Sequence, residues 1–414
     1  MIKISRPLDQ LEDICRRVLS GCEAIKKKCL RETVIEILTL YMIIPRRINF
    51  TQMERYGSHD EQTYRNTFKK DVDWSAINMW IINQLFPKGH RIAIAIDPSY
   101  ISKAGKCTAH IGRFWSGCAQ MVKHGLEILG IGVIDIDMNP SQCLAFGAAQ
   151  TPNSAELTEK NMTLDKFYLS VIENNIERLL SVSKYIVADA WFSKKPFADG
   201  ITKLGFHLIS RFRDDADLRY IYTGERTGKP GRPRVYDGKI DFDNLDYSRM
   251  TEFEVSGETD KFYTLIAYSY SLKKNVRLVI RVTGKGKHKL YFSTDTEISG
   301  KDVLEFYRGR FQVEFVFRDS KQYAGLCHCQ ARSEEKLDFG FNASLTSVNV
   351  AKFMMKEIGM DYSMANFKNM IFNAFLINRF IAVSGYRPNS DKINKTFKEL
   401  IEGHLQNHVF EKVR

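Results

Sequence analysis

Three acidic residues could do chemistry in this chain: Asp97, Asp189 and Glu314. Carboxylate oxygens are the ligands that suit a hard cation such as magnesium. Asp97 comes directly after an apolar run at 92–96, and Asp189 follows a shorter run at 184–187. Such runs are typical of strands buried on both faces. Because proline favours extended backbone in the residue before it, we predict that the first strand ends at Asp97-Pro98. Both carboxylates are then expected at the rim of a buried sheet.

The third acid lies on a helix-patterned segment together with three other polar residues. The four residues are Tyr307, Arg310, Glu314 and Lys321. At about 100° per residue, they fall within about 60° of one another on one continuous helix. Apolar residues flank this stripe on both sides: Leu304, Phe311 and Phe315 on one, and Phe306, Val313 and Phe317 on the other. We therefore predict a polar stripe that faces the protein interior.

Buried ionisable groups are costly unless they have partners. Glu314 and Arg310 are four residues apart, so a purely structural ion-pair network is the alternative to a functional site. Glu305 and Asp319 fall on the opposite face of the predicted helix and are poor candidates for the same site.

Bulk properties favour a globular protein with an anionic partner. The chain has 414 residues and a formal net charge of +12, which favours nucleic acid first and a membrane surface second. Charge alone is equally compatible with a basic protein that binds nothing anionic. No apolar run reaches the roughly 18 residues of a membrane span, and the first residues do not resemble a signal peptide. We therefore expect a cytoplasmic protein that does not enter a membrane.

The eight cysteines are then expected to be reduced thiols. Cys15, Cys22 and Cys29 recur every seven residues, which predicts one helical face packed in the core. Cys327, His328 and Cys329 are too close together to hold zinc alone, and no CxxC partner exists. A zinc site is not expected.

Periodicity divides the chain into five parts. We predict a helical DNA-binding domain at 1–88, the first part of an α/β core at 89–212, a β-rich insertion at 213–300, a core helix at 301–330 and a helical region at 331–414. Residues 8–28 and 32–44 are predicted as two helices of the first part. Residues 50–70 fit a helix-turn-helix whose second helix presents Arg65, Lys69 and Lys70 to DNA. An ordinary helical hairpin with a solvated face is the alternative.

The acids and the stripe together resemble cut-and-paste DDE transposases of the insertion-sequence-four type. The likeness rests on Tyr307-x2-Arg310-x3-Glu314-x6-Lys321, on the order of Asp97, Asp189 and Glu314, and on Asp189-Ala190-Trp191-Phe192. It covers roughly residues 90–330. It implies an α/β fold: a ribonuclease-H-like catalytic core interrupted by a β-rich insertion domain and flanked by helical N- and C-terminal regions.

The resemblance also implies a chemistry. The three carboxylates would hold two Mg²⁺ ions, for which Mn²⁺ is expected to substitute, and support in-line attack on a phosphodiester. Tyr307, Arg310 and Lys321 would contact the DNA backbone near the cleaved phosphate. The enzyme would bind terminal inverted repeats, hydrolyse double-stranded DNA at the element ends, and transfer the 3′-hydroxyl ends to target DNA as a homodimer in a synaptic complex.

Further DNA contacts are predicted on four basic segments. Arg318 lies on the signature helix. Arg232 is the arginine of a Gly-Arg-Pro loop that resembles a minor-groove hook, and Arg234 directly follows this loop. Lys287 lies in a basic hairpin turn. For the Gly-Arg-Pro loop and for the hairpin turn, a plain solvent-exposed loop or turn is the alternative. Lys103, Lys106 and Arg113 follow Asp97 and are additional candidates, whereas the neighbouring Trp115 is predicted to pack.

Members of this type often hold a flipped base with a tryptophan of the insertion, yet residues 213–300 contain none. Aromatic residues there could stack a base instead, or belong to the core: Phe262, Tyr263, Tyr268, Tyr270 and Phe292.

Three other functions remain open: a catalytically inactive or domesticated transposase-derived DNA-binding protein, a ribonuclease-H-like nuclease without strand transfer, and a structural protein. The buried polar stripe makes the last one costly. The helical segment 337–358 could supply a dimer face or pack within the chain.

Overall fold

The N-terminal part of the protein is a group of helices. The computed structural model describes residues 6–402 apart from 139, 141, 225–233, 285 and 386–390. The first five helices are α1 (Arg6–Ser20), α2 (Lys28–Ile43), α3 (Phe50–Tyr56), α4 (Glu61–Thr67) and α5 (Trp74–Leu85). Side chains of Asn49, Asp60 and Asp73 accept hydrogen bonds from the first turns of α3, α4 and α5, which satisfies backbone donors that a helix start leaves free.

The first helix is shorter than predicted. It ends at Ser20, and the next residue is Gly21, a poor helix former. Gly21 packs so closely on Trp80 that a Cβ there would lie 2.1 Å from the indole nitrogen. The chain therefore leaves the helix, and the seven-residue spacing of the cysteines loses its meaning. Cys15 is buried, Cys22 is intermediate and Cys29 is exposed. The prediction that all three share one core face was wrong.

A single sheet of twelve strands forms the centre of the described residues. Its strands are β1 (Ile92–Ser102), β2 (Gly112–Ser116), β3 (Met121–Asp135), β4 (Gln142–Gln150), β5 (Tyr185–Val187), β6 (His207–Arg211), β7 (Leu218–Ile221), β8 (Tyr236–Lys239), β9 (Thr251–Phe253), β10 (Lys261–Ser269), β11 (Lys274–Val282) and β12 (His288–Ser293). Their order is β2-β3-β1-β5-β6-β12-β11-β10-β7-β8, with β4 beside β3 and β9 beside β10. The sheet is mixed: β1, β5 and β6 are parallel, and the other pairs are antiparallel.

The sequence predicted that the first strand ends at Asp97-Pro98, but the strand continues past both residues. β1 continues to Ser102 because β3 pairs with it along its whole length, including Asp97 with Gly130. On its other side the pairing with β5 stops at Ala95 and Val187. Pro98 thus lies where β1 has a neighbour on one side only, the position in which a sheet tolerates proline.

Residues 213–300 are rich in strands, as predicted, and they extend the same sheet. β12 pairs with β6 through Tyr291 and Arg211, so the hydrogen-bonded ladder crosses the predicted boundary without a gap. The apolar face of this region is continuous with the core beneath β1, β5 and β6.

Nine further helices of the described residues cover the sheet and the N-terminal group. They are α6 (Ser154–Glu159), α7 (Leu164–Glu173), α8 (Ile176–Leu180), α9 (Lys195–Lys203), α10 (Gly300–Gly309), α11 (Gln312–Gln322), α12 (Glu334–Glu357), α13 (Met364–Ser384) and α14 (Asp391–Glu402). None of the described helices is long and apolar enough to cross a membrane.

The predicted continuous helix at 301–330 is two helices, α10 and α11. Between them the backbone N–H groups of Arg310 and Phe311 bond three residues back, to Tyr307 and Arg308, which is the tighter 3₁₀ pattern. Gly309, just before this turn, packs closely on Ile136: a Cβ at residue 309 would lie 2.5 Å from the Ile136 side chain. The change of pitch shifts one predicted apolar wall outward, so that Phe311 is 52% exposed.

Helix α12 is buried within the chain. Asn342 and Asn349 lie two turns apart, and each both accepts from and donates to one backbone unit of β4, at Ala148 and Ala145 respectively. These amides satisfy the exposed edge of β4, a liability in a sheet. Residues from Leu337 to Met355 are almost all buried. The interpretation of 337–358 as a dimer face is therefore wrong for most of this helix.

Protonation of Asp338, a residue of α12, makes the stability of the folded protein depend on pH. Burial raises the pKa of this carboxyl to about 6, although Asn342 donates a hydrogen bond to it. The folded state therefore holds the proton more tightly than the unfolded state, and stability falls as the pH rises from about 4 to 6. We expect Asp338→Asn to remove this fall, which amounts to at most about 3 kcal/mol. Urea unfolding at pH 4 and pH 7 checks this, and an unchanged pH dependence in the variant would contradict it.

Candidate active site

Parallel pairing of β1 with β5 brings two of the predicted acids together. Ala95 is in register with Val187, and Asp97 and Asp189 each lie two residues farther along. Asp189 accepts a hydrogen bond from the N–H of Trp191 at 2.9 Å, which begins a short 3₁₀ turn at Ala190–Phe192. The hydroxyl of Ser210 on β6 donates to the carbonyl of Asp189 at 2.7 Å. The position of Asp189 is thus fixed from both sides.

Arg310 links the third acid to this pair. Its Nη1 lies 3.6 Å from Oδ1 of Asp97, and its Nη2 donates to Oε1 of Glu314 at 3.1 Å. The Arg310 side chain is only 15% exposed, whereas that of Glu314 is 43% exposed. The buried Nε of Arg310 has no hydrogen-bond partner within the described residues. The guanidinium therefore bridges two carboxylates and keeps a donor to spare.

The electrostatics of the cluster are unbalanced. Burial raises the pKa of Asp97 to about 7; Arg310 lowers it, and the neighbouring Asp189 and Glu314 raise it. Burial lowers the pKa of Arg310, but the three carboxylates and Tyr307 outweigh this effect and raise the pKa above its ordinary value. The three carboxylates outnumber Arg310 and Lys321, the two cations that act on Asp97, and this negative excess favours a bound cation.

The donor set fits a hard divalent cation, but the arrangement is not a closed metal site. Carboxylate oxygens are suitable ligands, and the raised pKa of Asp97 shows that its charge is incompletely compensated. Within the described residues, no three His, Cys, Asp or Glu side chains are grouped closely enough to enclose an ion. Glu314 is turned towards Arg310 instead.

Lys321 and Tyr307 flank the cluster in different ways. Lys321 donates to the hydroxyl of Ser99 and to the carbonyl of Tyr100, both at 2.9 Å, and so joins α11 to β1. Tyr307 is half-buried, with its ring 5.0 Å from that of Tyr291, and burial raises its pKa. The sequence pattern gave no signal for Ser99 or Ser210, because their partners lie far away along the chain.

A cleft of about 590 Å³ opens beside Asp97 and Asp189, with Arg113, Trp115 and Trp191 among its lining residues. Trp115 is 56% exposed, so the prediction that it packs was wrong. It lies on β2, an edge strand with only β3 beside it. The ammonium group of Lys194 lies 3.4 Å from the centre of the Trp191 ring. The cleft thus combines aromatic surfaces and cations next to the acids.

Most other predicted DNA contacts lie outside this cluster. Arg318 pairs with Asp319, which is buried and also bonded by the hydroxyl of Tyr362. The face of α11 opposite the acids is therefore buried as well. Lys103 donates to the carbonyls of Cys329 and Ala331, and this interaction holds it within the protein.

The predicted helix pair at 50–70 is present as α3 and α4, with Asp60 as the cap of α4. Arg65 pairs with Glu61 and lies over the ring of Phe50, whereas Lys69 and Lys70 are exposed. Lys287 is an exposed residue directly before β12. Among the described residues, no contact of Arg65 or Lys287 with the three acids is present.

In the β-rich region, Arg234 pairs with Asp237, and Arg232 lies outside the described residues. Phe262, Tyr263 and Phe292 are core residues, so they cannot stack a base without rearrangement. Tyr268 is partly buried beside Tyr236, and Tyr270 is 53% exposed.

The chain matches one known protein family. Residues 143–350, half of the chain, match the family described as a transposase DDE domain. The matched segment contains Asp189 and the α10–α11 pair, and begins after Asp97. No curated protein matches the chain. Transposases of this family act on DNA and generally depend on a divalent metal ion. The half-chain match and the clustered acids agree, and the chain belongs to the transposase DDE domain family.

Proposed function

We propose that this chain is the transposase of a bacterial insertion sequence of the insertion-sequence-four type, with a ribonuclease-H-like catalytic core. It would bind terminal inverted repeats, cut at the element ends and join their 3′-hydroxyl groups to target DNA. The observation that carries the proposal is the meeting of Asp97, Asp189 and Glu314 around Arg310, in a chain of the transposase DDE domain family.

Asp97, Asp189 and Glu314 would hold two Mg²⁺ ions, with Mn²⁺ as a substitute. When bound, such ions supply an activated water or hydroxyl and stabilise the leaving oxygen. In the structure Arg310 compensates part of the charge of the acids. The planar fork of Arg310 suits a non-bridging phosphate oxygen at the same place.

Lys321 and Tyr307 have separate proposed roles. Lys321 holds α11 on β1 through Ser99 and Tyr100, so it would set the position of Glu314 relative to Asp97 and would reach DNA only by leaving these partners. Tyr307 keeps a neutral hydroxyl, since burial raises its pKa, and this hydroxyl can donate to a phosphate oxygen.

In the proposed reaction, the protein acts as a homodimer on two paired DNA ends. The test uses DNA that carries both boundaries of the element encoding the chain, a supercoiled target, and Mg²⁺ or Mn²⁺. We expect cleavage at the boundaries followed by joining to the target, detected as a labelled product of increased length. Cleavage without joining would favour a nuclease, and end binding without cleavage would favour an inactive, domesticated DNA-binding derivative.

A further inference from the structure

A cluster of basic side chains lies at the C-terminal end of α11, away from the three acids. A cavity of about 480 Å³ opens there between the segment that follows α2, the end of α11 and the side of α13. Its lining residues that carry a positive charge, an imidazole or an amide are Arg46, Arg47, Gln322, His328, Lys368 and Asn369. No acidic residue is among the described residues that line it. The cavity therefore offers cations and hydrogen-bond donors without a compensating carboxylate.

Lys368 is the buried member of this group. It is 8% exposed, and its ammonium group donates to the carbonyls of Tyr41, at 3.2 Å, and Tyr323. Burial lowers its pKa to about 8. These carbonyls stabilise the charge only partly, because a buried ammonium without an anion is costly. An anion in the cavity would remove that cost.

Arg46 and Arg47 stand at the mouth of the cavity. Both are exposed, and neither forms an ion pair within the part of the chain that the structure describes. Arg47 is close enough to His328 to lower the pKa of the imidazole, after the larger effects of burial and Lys368. Neighbouring cations repel one another, so this arrangement is most favourable with an anion between them.

His328 adds a directed donor. Its Nδ1 accepts a hydrogen bond from the N–H of Ile48 at 3.1 Å, so the neutral ring carries its proton on Nε2. Together the lining groups supply two guanidinium forks, an ammonium group, an imidazole N–H and two amides. Phosphate, with several acceptor oxygens and a charge, matches this set.

We propose that this cavity, the α11–α13 pocket, binds a backbone phosphate of the DNA on which the transposase acts. The inference rests on the proposed function for the source of the phosphate. Gln322 follows Glu314 by eight residues, about 12 Å along a helix axis, which is comparable with the width of the DNA major groove of about 12 Å. One duplex could therefore place one phosphate at the acids and another in the pocket.

The test measures DNA binding without cleavage, in a Glu314→Gln background. Arg46→Ala/Arg47→Ala is compared with Lys166→Ala/Lys203→Ala, which removes two charges from exposed side chains of α7 and α9. We expect only the first pair to weaken binding, by about tenfold, and to reduce the slope of log K against log salt by about 1 to 2. Equal effects of both pairs would overturn the proposal.

Single methylphosphonate substitutions along the DNA locate the phosphate. At one position the neutral linkage should weaken binding by the protein with intact Arg46 and Arg47, and should have no effect on the protein that lacks them. If no position shows this difference, the pocket does not bind a DNA phosphate and the proposal is overturned.

A third arm separates the pocket from the proposed function. Inorganic phosphate is added in place of chloride at equal ionic strength, and the melting temperature is measured for the protein with and without Arg46 and Arg47. Stabilisation that requires the arginines, in a protein that binds no DNA, would keep the phosphate site while overturning its DNA source and the proposed function. No stabilisation and no difference in DNA binding would overturn the site itself.

Discussion

Replacing Glu314 with glutamine is expected to reduce metal-dependent cleavage of the element ends by at least about 100-fold. Changes to residues that only orient metal ligands already cost about 10- to 100-fold, and loss of a ligand charge should cost more. Glutamine has nearly the same shape and keeps an oxygen that can accept from Nη2 of Arg310, which is 3.1 Å from Oε1 in the present structure. The side chain is 43% exposed, so the fold should not change. The assay is end cleavage under single-turnover conditions, with DNA binding measured in parallel.

Glu305→Gln is the matched control. Glu305 lies on α10, the other helix of the pair, and its carboxylate is bound by Arg91 away from the acids. The control loses one negative charge from the same helical region and should retain cleavage. Equal loss in both variants would show that the charge of the region matters rather than the position of Glu314. Full activity of Glu314→Gln would remove Glu314 from the site.

The carboxylates on the strands could be predicted because the signal is local. The apolar runs before Asp97 and Asp189 reflect burial on both faces of β1 and β5, a property that each strand shows in its own sequence. Their meeting then follows from the parallel pairing of the two strands. Extension of β1 beyond Pro98 could not be predicted in this way, because it depends on β3, about thirty residues later.

The helix that carries Glu314 shows the opposite case. Its stripe correctly grouped Arg310 with Glu314, since four-residue spacing places them together in any helical turn. The break at Arg310 and Phe311 follows Gly309, which packs closely on Ile136, and no periodicity within the helix reports that contact. The burial of Asp319 likewise depends on Tyr362, which lies 43 residues later.

The β-rich segment shows a limit of composition. Its alternating residues indicated strands, and strands are present, but the pairing of β12 with β6 depends on which edge of the sheet is free. Local sequence carries little information on that choice. Aromatic residues there were equally ambiguous: Phe262 and Phe292 fill the core, whereas Tyr270 is exposed.

Asp97→Asn is expected to make the metal-free protein more stable at pH 8 than the wild type. Burial raises the pKa of Asp97 from its ordinary value of 3.8 to about 7, after the opposing effect of Arg310. The folded state therefore binds the proton more tightly, and wild-type stability falls as the pH rises from about 4 to 7. Asparagine removes this penalty, which is at most about 4 kcal/mol and is reduced because the side chain is 21% exposed.

Asp295→Asn should behave in the opposite way in the same unfolding measurements. Asp295 is also buried, which alone would raise its pKa, but the N–H of Glu297 and the hydroxyl of Tyr185 lower the pKa below its ordinary value. Its charged form therefore stabilises the fold at pH 8, and the amide variant should be less stable than the wild type. The two aspartates thus differ in sign because both carboxylate oxygens of Asp295 accept hydrogen bonds, whereas Nη1 of Arg310 lies 3.6 Å from Oδ1 of Asp97.

Addition of Mg²⁺ should stabilise the wild type more than Asp97→Asn. A ligand at 100 times its dissociation constant stabilises a protein by about 2.7 kcal/mol, and the variant lacks one of the proposed ligands. We expect the melting temperature of the wild type to rise with Mg²⁺ and that of Asp97→Asn to rise much less. If the variant is instead less stable than the wild type without metal at pH 8, Asp97 serves chiefly as the structural partner of Arg310. The acids would then form an ion-pair network, in which cation binding would not be needed to offset the cost of an ionised Asp97.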